Sequence, residues 1–384
     1  MEKIYYIGNY DIDDNKLENR GFALSARNKM KYICSAINKA GYCVEVVSPA
    51  QTANKKSCKG KLLNISKNVE LKLFHSLGRK GIVSKIIRRY SMKIQLFWYL
   101  LKNMKDGSKV IVYHSLGYMS VIKLLKKFKK IHLIMEVEEV YGDVTGNKKD
   151  VLKEYHYFKS ADAYIFPTEL LDEKINTLNK NSVIIYGTYE VEEIRCKFND
   201  KSLQGSEDGR IHLLYAGTLD PRKGGAIAAA AAAEYLSSNY HIHILGFGSN
   251  ADIQNMKEYV DKIAKKTEAQ VTYDGLMRGE EYIEFVQKCQ IGFSTQNPDA
   301  AFNDTSFPSK VLSYLSNGLR VVSVRIKALE RAEISDLLFY YDEQTPEAIA
   351  RAVQSIDFSD EYDSRSRIRK LDENFIKKIG EILK

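Results

Sequence analysis

The feature that most restricts the fold of this 384-residue chain is an alternation, from end to end, of short β-branched and aromatic runs with longer helical segments. The first series is "KIYYIG" (3–8), "YCVEVVS" (42–48), "KVIVYH" (109–114), "IHLIME" (131–136), "AYIFP" (163–167) and "SVIIYG" (182–187). The second is "IHLLYAG" (211–217), "HIHILG" (241–246), "VTYDG" (271–275), "QIGFST" (290–295), "LRVVSV" (319–324) and "LLFYY" (337–341). Apolar strands separated by helices build parallel sheets covered on both faces. Between the series lies "CKFNDKSLQGSEDGR" (196–210), a polar stretch with the composition of a linker. The length exceeds one ordinary core and fits two. The pattern therefore predicts two doubly wound α/β domains, 1–195 and 211–359, joined by 196–210. A final helix within 360–384 carries the stripe Ile368, Leu371, Phe375, Ile376, Ile379 and Ile382, which needs an apolar surface such as the first domain.

Composition removes several alternatives. With 44% apolar and 28% charged residues the chain is a folded globular protein. Its cysteines, Cys34, Cys43, Cys58, Cys196 and Cys289, are odd in number and lack CxxC spacing, which argues for buried thiols in a reducing cytoplasm and against a disulfide framework or zinc site. The N-terminus "MEKIYYIGNYDIDD" begins with a strand and shows no signal-peptide core. The longest apolar run, "IQLFWYLL" (94–101), falls well short of the roughly 18 residues that span a bilayer.

Charge is divided unevenly. Residues 1–180 carry a net +15 and the remainder a net −6. Much of the excess lies in "GRKGIVSKIIRRYSMKIQLFWYLLKNMK" and "KLLKKFKK", where Ile82, Ile86, Tyr90, Ile94, Phe97 and Leu101 recur at helical spacing between basic residues. This basic amphipathic pattern has two readings: a core helix with a solvated basic face, or peripheral membrane contact through 72–130. The sequence contains no recognised nucleic-acid module, so no nucleic-acid partner is expected.

Ligands of open α/β sheets bind beyond the carboxyl ends of the strands. In the second half, "GTLDPRKGG" (217–225) offers Gly217, Thr218, Arg222 and Lys223, and "GFGSN" (246–250) offers Gly246, Phe247 and Gly248. "GLMRGEE" (275–281) presents Leu276 and backbone suited to a base edge. "NDTSFPSKVLSYLSNGLRVVSV" (303–324) crowds Asn303, Asp304, Thr305, Ser306, Ser309 and Lys310 at a helix start, with Ser313 inside the helix, Pro308 in its first turn and Gly318 just past its end. Cations beside two helix N-termini suit a diphosphate. Each motif alone is as readily a surface turn or a cap; their common order along one rim is what points to a ligand. In the first half His114 ends a strand, and "MEVEEVYGD" (135–143) sets Glu136 and Glu138 on one face if the strand continues, with Glu139 pointing away. These have bland readings too: a satisfied imidazole, and solvated or capping acids.

The segments "YAGTLDPRKGG", "ILGFGS", "YDGLMRGEEYIEFVQKCQIGFSTQ" and "FPSKVLSYLSNGLRVVSV" resemble the GT-B glycosyltransferases, specifically the group 1 retaining enzymes. The resemblance implies two Rossmann-like domains facing a central cleft, with the acceptor bound in the first, the donor in the second, and a C-terminal helix crossing back. It assigns the grip on the donor diphosphate to Lys223. Thr218 replaces an arginine of the family, with Arg222 as its substitute, and the family's two glutamates are replaced by Thr305 and Ser313. Asn303, Asp304, Thr305 and Ser306 would then meet the sugar and Ser313 the ribose. His114 would stand near the anomeric carbon, Glu136 or Glu138 would meet an acceptor hydroxyl, and the loop 11–29, with Arg20 and Gly21, would hang over the cleft to bind acceptor.

The expected activity is that of an EC 2.4 hexosyltransferase. It would move sugar from a nucleotide-diphosphate donor to a saccharide or lipid-linked acceptor in surface polysaccharide assembly, at the inner face of the membrane. Lys and Arg can neutralise the leaving diphosphate and no DxD triplet ends a strand, so neither metal nor cofactor is expected. A sugar-nucleotide epimerase of the same fold and a non-catalytic partner subunit are the competing readings.

Overall fold

The computed structural model describes residues 1–195, 208–221, 225–298, 303 and 305–384. The chain forms two compact units, Met1–Thr188 with Glu373–Lys384, and Tyr189–Asp372.

The first unit is built on an eight-stranded sheet. Its strands are β1 (Lys3–Ile7), β2 (Cys43–Ser48), β3 (Lys61–Ser66), β4 (Val69–Leu73), β5 (Lys109–Tyr113), β6 (His132–Glu136), β7 (Ala163–Phe166) and β8 (Ser182–Ile184), in the order β3-β4-β2-β1-β5-β6-β7-β8. Valine and isoleucine dominate the central strands because both faces are covered. Val110, Val112, Leu133 and Met135 pack with Leu96, Leu100, Ile122 and Leu125 from the helices Gly81–Asn103 and Met119–Phe128. Each such side chain contributes about 1.5–3 kcal/mol by leaving water.

Two features depart from the sequence reading. The sheet is not wholly parallel, because β3 runs antiparallel to β4 at its edge. Lys67 and Asn68 make the turn between them, with Asn68 in the left-handed region at φ 61°. The alternation of buried Val69, Leu71 and Leu73 was available in the sequence but lies within the lysine-rich region that drew attention for its charge. The helix Gly81–Asn103 also turns a different stripe inward. Met92, Leu96 and Leu100 are its buried residues, while Ile82, Ile86, Tyr90 and Ile94 face solvent and Phe97 and Leu101 are partly buried.

The second unit has a six-stranded sheet of β9 (Ile211–Thr218), β10 (Tyr240–Phe247), β11 (Gln270–Gly275), β12 (Ile291–Ser294), β13 (Arg320–Val324) and β14 (Leu338–Tyr341). All its pairings are parallel, in the order β11-β10-β9-β12-β13-β14. This is the doubly wound order whose direction reverses between the first and fourth strands, here β9 and β12. The helix Ala226–Ala231 buries Ala226, Ala229, Ala230 and Ala231, small residues that let it lie close on the sheet.

The final helix, Ser364–Ile382, belongs to the second unit up to Asp372 and to the first from Glu373. Phe375 stacks on Tyr32 with ring centroids 5.7 Å apart, and Tyr42 donates a 3.1 Å hydrogen bond to the Leu383 carbonyl. Among the described residues no helix is long and apolar enough to cross a membrane.

Candidate functional site

The crevice between β9 and β12 is where a ligand of this sheet is expected, and the side chains there converge on one cation. Gly292 in β12 has no side chain, and the Tyr314 ring fills the space: a Cβ at 292 would stand 2.4 Å from it. The Tyr314 hydroxyl accepts a 2.8 Å hydrogen bond from the Ala216 N–H, pinning the helix Ser309–Ser316 to β9. One turn earlier on that helix, Lys310 places its Nζ 4.1 Å from the centroid of the Tyr215 ring and 3.3 Å from where a Gly217 side chain would begin. Burial lowers the Lys310 pKa to about 8, and among the described residues no carboxylate pairs with it. Pro308 is the N-cap and supplies no capping side chain, and the first turn has no acidic residue. A half-buried ammonium and a helix start thus share one place with no anion supplied by the described residues.

Tyr215 also fixes the loop after β9. Its hydroxyl donates to the Thr218 carbonyl at 3.0 Å and accepts from the Gly225 N–H at 3.1 Å. Thr295, just past β12, donates to the Gly225 carbonyl at 2.8 Å, and a Cβ at Gly225 would fall 1.8 Å from the Thr295 carbonyl oxygen. Gly225 is therefore required by close approach of two backbones. Arg222, Lys223 and Asp304 lie outside the described residues.

The other expected donor residues divide by environment. Gly246 and Gly248 serve packing within the protein: side chains there would strike the Gly217 carbonyl and Asp252 respectively. Ser249 and Asp252 form a capping box for the helix Asn250–Ala264. Asn303 is buried and spends its amide on the Asn297 and Pro298 carbonyls, both at 2.8 Å, so it holds its own loop. Ser313 meets the Tyr282 hydroxyl. Thr305 and Ser306 are half-buried and Ser309 is exposed. Phe247, the last residue of β10, and Leu276, just after β11, leave 56% and 48% of their surface open. A pocket of about 380 Å³ opens nearby, lined by Leu219, Gly225, Tyr259, Asn297 and Gln344 among others.

In the first unit the structure corrects the acceptor-side expectations. His114 follows β5 but is 1% exposed; its Nε2 lies 2.6 Å from Glu154 Oε1, and its ring stacks on Tyr141. Glu154, which the sequence reading passed over, also accepts the Tyr141 and Gly142 N–H groups at 3.0 and 2.7 Å. Its signal was a lone acid beside Tyr157 and Phe158 on a core-facing helix surface. β6 ends at Glu136, so Glu136 and Glu138 do not continue along one strand. Glu136 is wholly buried and accepts a hydrogen bond from the Tyr6 hydroxyl, whereas Glu138 takes a 2.6 Å ion pair from Lys29. Burial, followed by the nearby Glu138 charge, pushes the Glu136 pKa up to about 8. Arg20 is buried and fully engaged by Glu18 and by the Ala50, Phe74 and Lys59 carbonyls, so it organises the loop from within. Gly21 is exposed, its N–H bound to the Gln51 carbonyl at 3.0 Å.

No protein-family model matches the sequence, and no curated protein matches it. Solved structures do match in fold. Sucrose-phosphate synthase from Thermosynechococcus elongatus superposes with a TM-score of 0.66 at 13% identity, covering 100% of this chain and 98% of that one. A trehalose-6-phosphate enzyme from E. coli, bound with UDP-2-fluoro glucose, gives 0.61 at 10% identity with 100% and 97% coverage. An α,α-trehalose-phosphate synthase from Burkholderia xenovorans in complex with glucose-6-phosphate gives 0.61 at 10% identity with 100% and 98% coverage. At these identities the likeness establishes the fold, and that fold is GT-B: α/β, with two Rossmann-like units.

Proposed function

We propose that this chain is a glycosyltransferase of the group 1 retaining type, moving a sugar from a nucleoside-diphosphate donor to a saccharide or lipid-linked acceptor. The observation that carries the reading is Lys310 at the β9/β12 crevice, a half-buried ammonium at a helix start with no carboxylate partner among the described residues. A donor diphosphate is the anion that fits this place, and the UDP sugar bound by the E. coli neighbour supports that choice. Arg222 and Lys223 are the further cations proposed to bind the diphosphate. Phe247 and Leu276 offer apolar surface to a base, and Thr305, Ser306 and Ser313 offer hydroxyls to the sugars. His114 and Glu154 act as positioning residues that hold the turn at Tyr141.

The bond from the anomeric carbon to the donor phosphate breaks as the acceptor oxygen bonds to the same face of that carbon. The acceptor proton passes to the leaving phosphate oxygen. Lys310 and the helix N–H groups stabilise the charge that develops on the leaving diphosphate, so this reading requires no metal or cofactor. A role in surface polysaccharide assembly at the inner face of the membrane is supported by the helix Gly81–Asn103. It exposes Ile82, Val83, Ile86, Ile87, Tyr90, Ile94 and Trp98 among Lys85 and Arg89, a pairing that suits an anionic lipid surface.

The test is release of nucleotide from UDP-, GDP- and dTDP-sugars with and without saccharide acceptors. Acceptor-dependent release whose donor KM is raised by Lys310→Ala supports the proposal. Epimerised donor identifies an epimerase instead, and absence of turnover and of donor binding overturns the enzymatic reading.

A further inference from the structure

Three histidines stand together at the other end of the second sheet. His212 is the second residue of β9 and His241 the second of β10, directly paired in register; His243 lies two residues on, on the same face. One ligand atom from each lies within 4.8 Å of the others.

The hydrogen bonds around them determine what this cluster requires. Asp208 Oδ1 lies 3.0 Å from His212 Nε2, and Asp274 Oδ2 lies 3.1 Å from His243 Nδ1. A carboxylate accepts, so each of those ring nitrogens carries its proton toward its aspartate. The remaining nitrogens, His212 Nδ1 and His243 Nε2, then meet as two lone pairs at 2.9 Å. Two lone pairs at that distance repel unless a proton or a metal ion lies between them. The His241 ring has its centroid 3.8 Å from that of His243 and offers one ring nitrogen within 4.8 Å of the pair, while its Nε2 also meets the Thr272 hydroxyl at 3.0 Å.

We infer that His212, His241 and His243 form a binding site for a divalent transition metal, with Asp208 and Asp274 as the carboxylates that orient two of the ligands. Three neutral imidazoles suit Zn²⁺, Co²⁺ or Ni²⁺, and the two aspartates balance a charge of two. Metal–nitrogen bonds of about 2.0–2.1 Å place tetrahedral ligand nitrogens about 3.3 Å apart. The His212–His243 pair therefore has to widen slightly and the third ring has to close in, movements that side-chain torsions supply. Phe285 packs edge-on against His243 at 5.0 Å and screens one side, while His212 keeps 19% of its side chain open to solvent. That opening gives an entry path and room for water as a fourth ligand. Carboxylates behind metal-bound histidines are a recurrent arrangement that fixes the ring tautomer and strengthens the bond.

The site does not serve the transfer chemistry. Gly217 lies five residue steps along β9 from His212, which is about 17 Å of extended strand. A metal here ties β9 to β10, draws in β11 through Asp274, and anchors Asp208, which precedes β9. It is a structural clip, independent of the donor site.

The experiment is Co²⁺ titration of the untagged protein, followed by visible absorption, with Zn²⁺ as competitor. The expected result is one Co²⁺ per chain, with the intense d–d bands of a tetrahedral site, displaced by Zn²⁺. Zn²⁺ also raises Tm. His243→Gln and the more exposed His212→Gln abolish the bands while circular dichroism stays native, and Asp274→Asn weakens binding by roughly 10- to 100-fold. Absence of saturable binding in the micromolar range overturns the proposal, as does equal binding by the His212→Gln and His243→Gln variants.

Discussion

The Lys310 ammonium sits over the Tyr215 ring at 4.1 Å, and the hydroxyl of the same tyrosine accepts the Gly225 N–H, so one side chain sets both the cation and the loop beside it. Lys310→Ala is expected to raise the KM or Kd for a nucleoside-diphosphate sugar by roughly 10- to 100-fold, the value of a charge-assisted hydrogen bond. Tm should hold or rise, because the variant removes a charge that burial penalises. Nucleotide-binding calorimetry checks the first and a thermal melt the second.

The same lysine predicts a pH dependence. Its pKa is lowered to about 8 by burial, so in the free protein the ammonium is lost as pH rises through 8. Donor affinity should be greatest below that pH and fall above it. Lys310→Arg, which stays charged, should flatten the fall even if its longer fork binds less well.

Glu136 should make the first unit less stable as pH rises. Burial raises its pKa from the ordinary 4.5 to about 8, so between these values the folded protein keeps a proton that the unfolded chain releases. Stability is fully present below about pH 4.5 and declines through pH 8, by at most about 1.4 kcal/mol per pH unit. Urea unfolding across this range should show the slope, and Glu136→Gln should remove most of it.

Glu154 should behave as a buried keystone. Removing it strands His114 and the Tyr141 and Gly142 N–H groups together, and loss of one partner from such a buried set costs about 3–5 kcal/mol. Glu154→Ala is therefore expected to lower Tm sharply. If His114→Ala left Tm unchanged and abolished turnover, the positioning role given to this pair would be wrong.

The exposed stripe of the helix Gly81–Asn103 should bind anionic vesicles. Replacing Ile82, Ile86 and Ile94 together by Ser is expected to release the protein from phosphatidylglycerol vesicles in flotation assays while leaving its stability nearly unchanged, since all three side chains already face water. Binding to neutral phosphatidylcholine should be weak in both proteins.

The strand series was legible because valine and isoleucine runs buried on both faces leave a contiguous signature, and the six strands of the second sheet fall where those runs stand. The strand ends followed from the same runs, and Gly217 and Lys310, both named from the sequence, do come together. What the sequence did not disclose was direction and depth. Arg20, Glu136 and His114 looked available because polar side chains usually are, yet each is buried and held by groups distant in sequence, and Asn303 is buried and held within its own loop. Glu154 escaped notice because its partners, at His114 and Tyr141, come from other segments of the chain. The β3–β4 hairpin was hidden by lysines, whose long side chains leave its outer face wet.

Gly292 gives the second unit a control that no charged residue provides. The Tyr314 ring occupies the volume that any larger residue at 292 would claim, and Tyr314 lies one helical turn from Lys310. The height of the ammonium above the sheet is thus set by the absence of a methyl group on a neighbouring strand. A change at 292 would re-aim the cation without altering a single charge, so the grip on an anion can drift through packing alone while every polar residue of the rim stays the same.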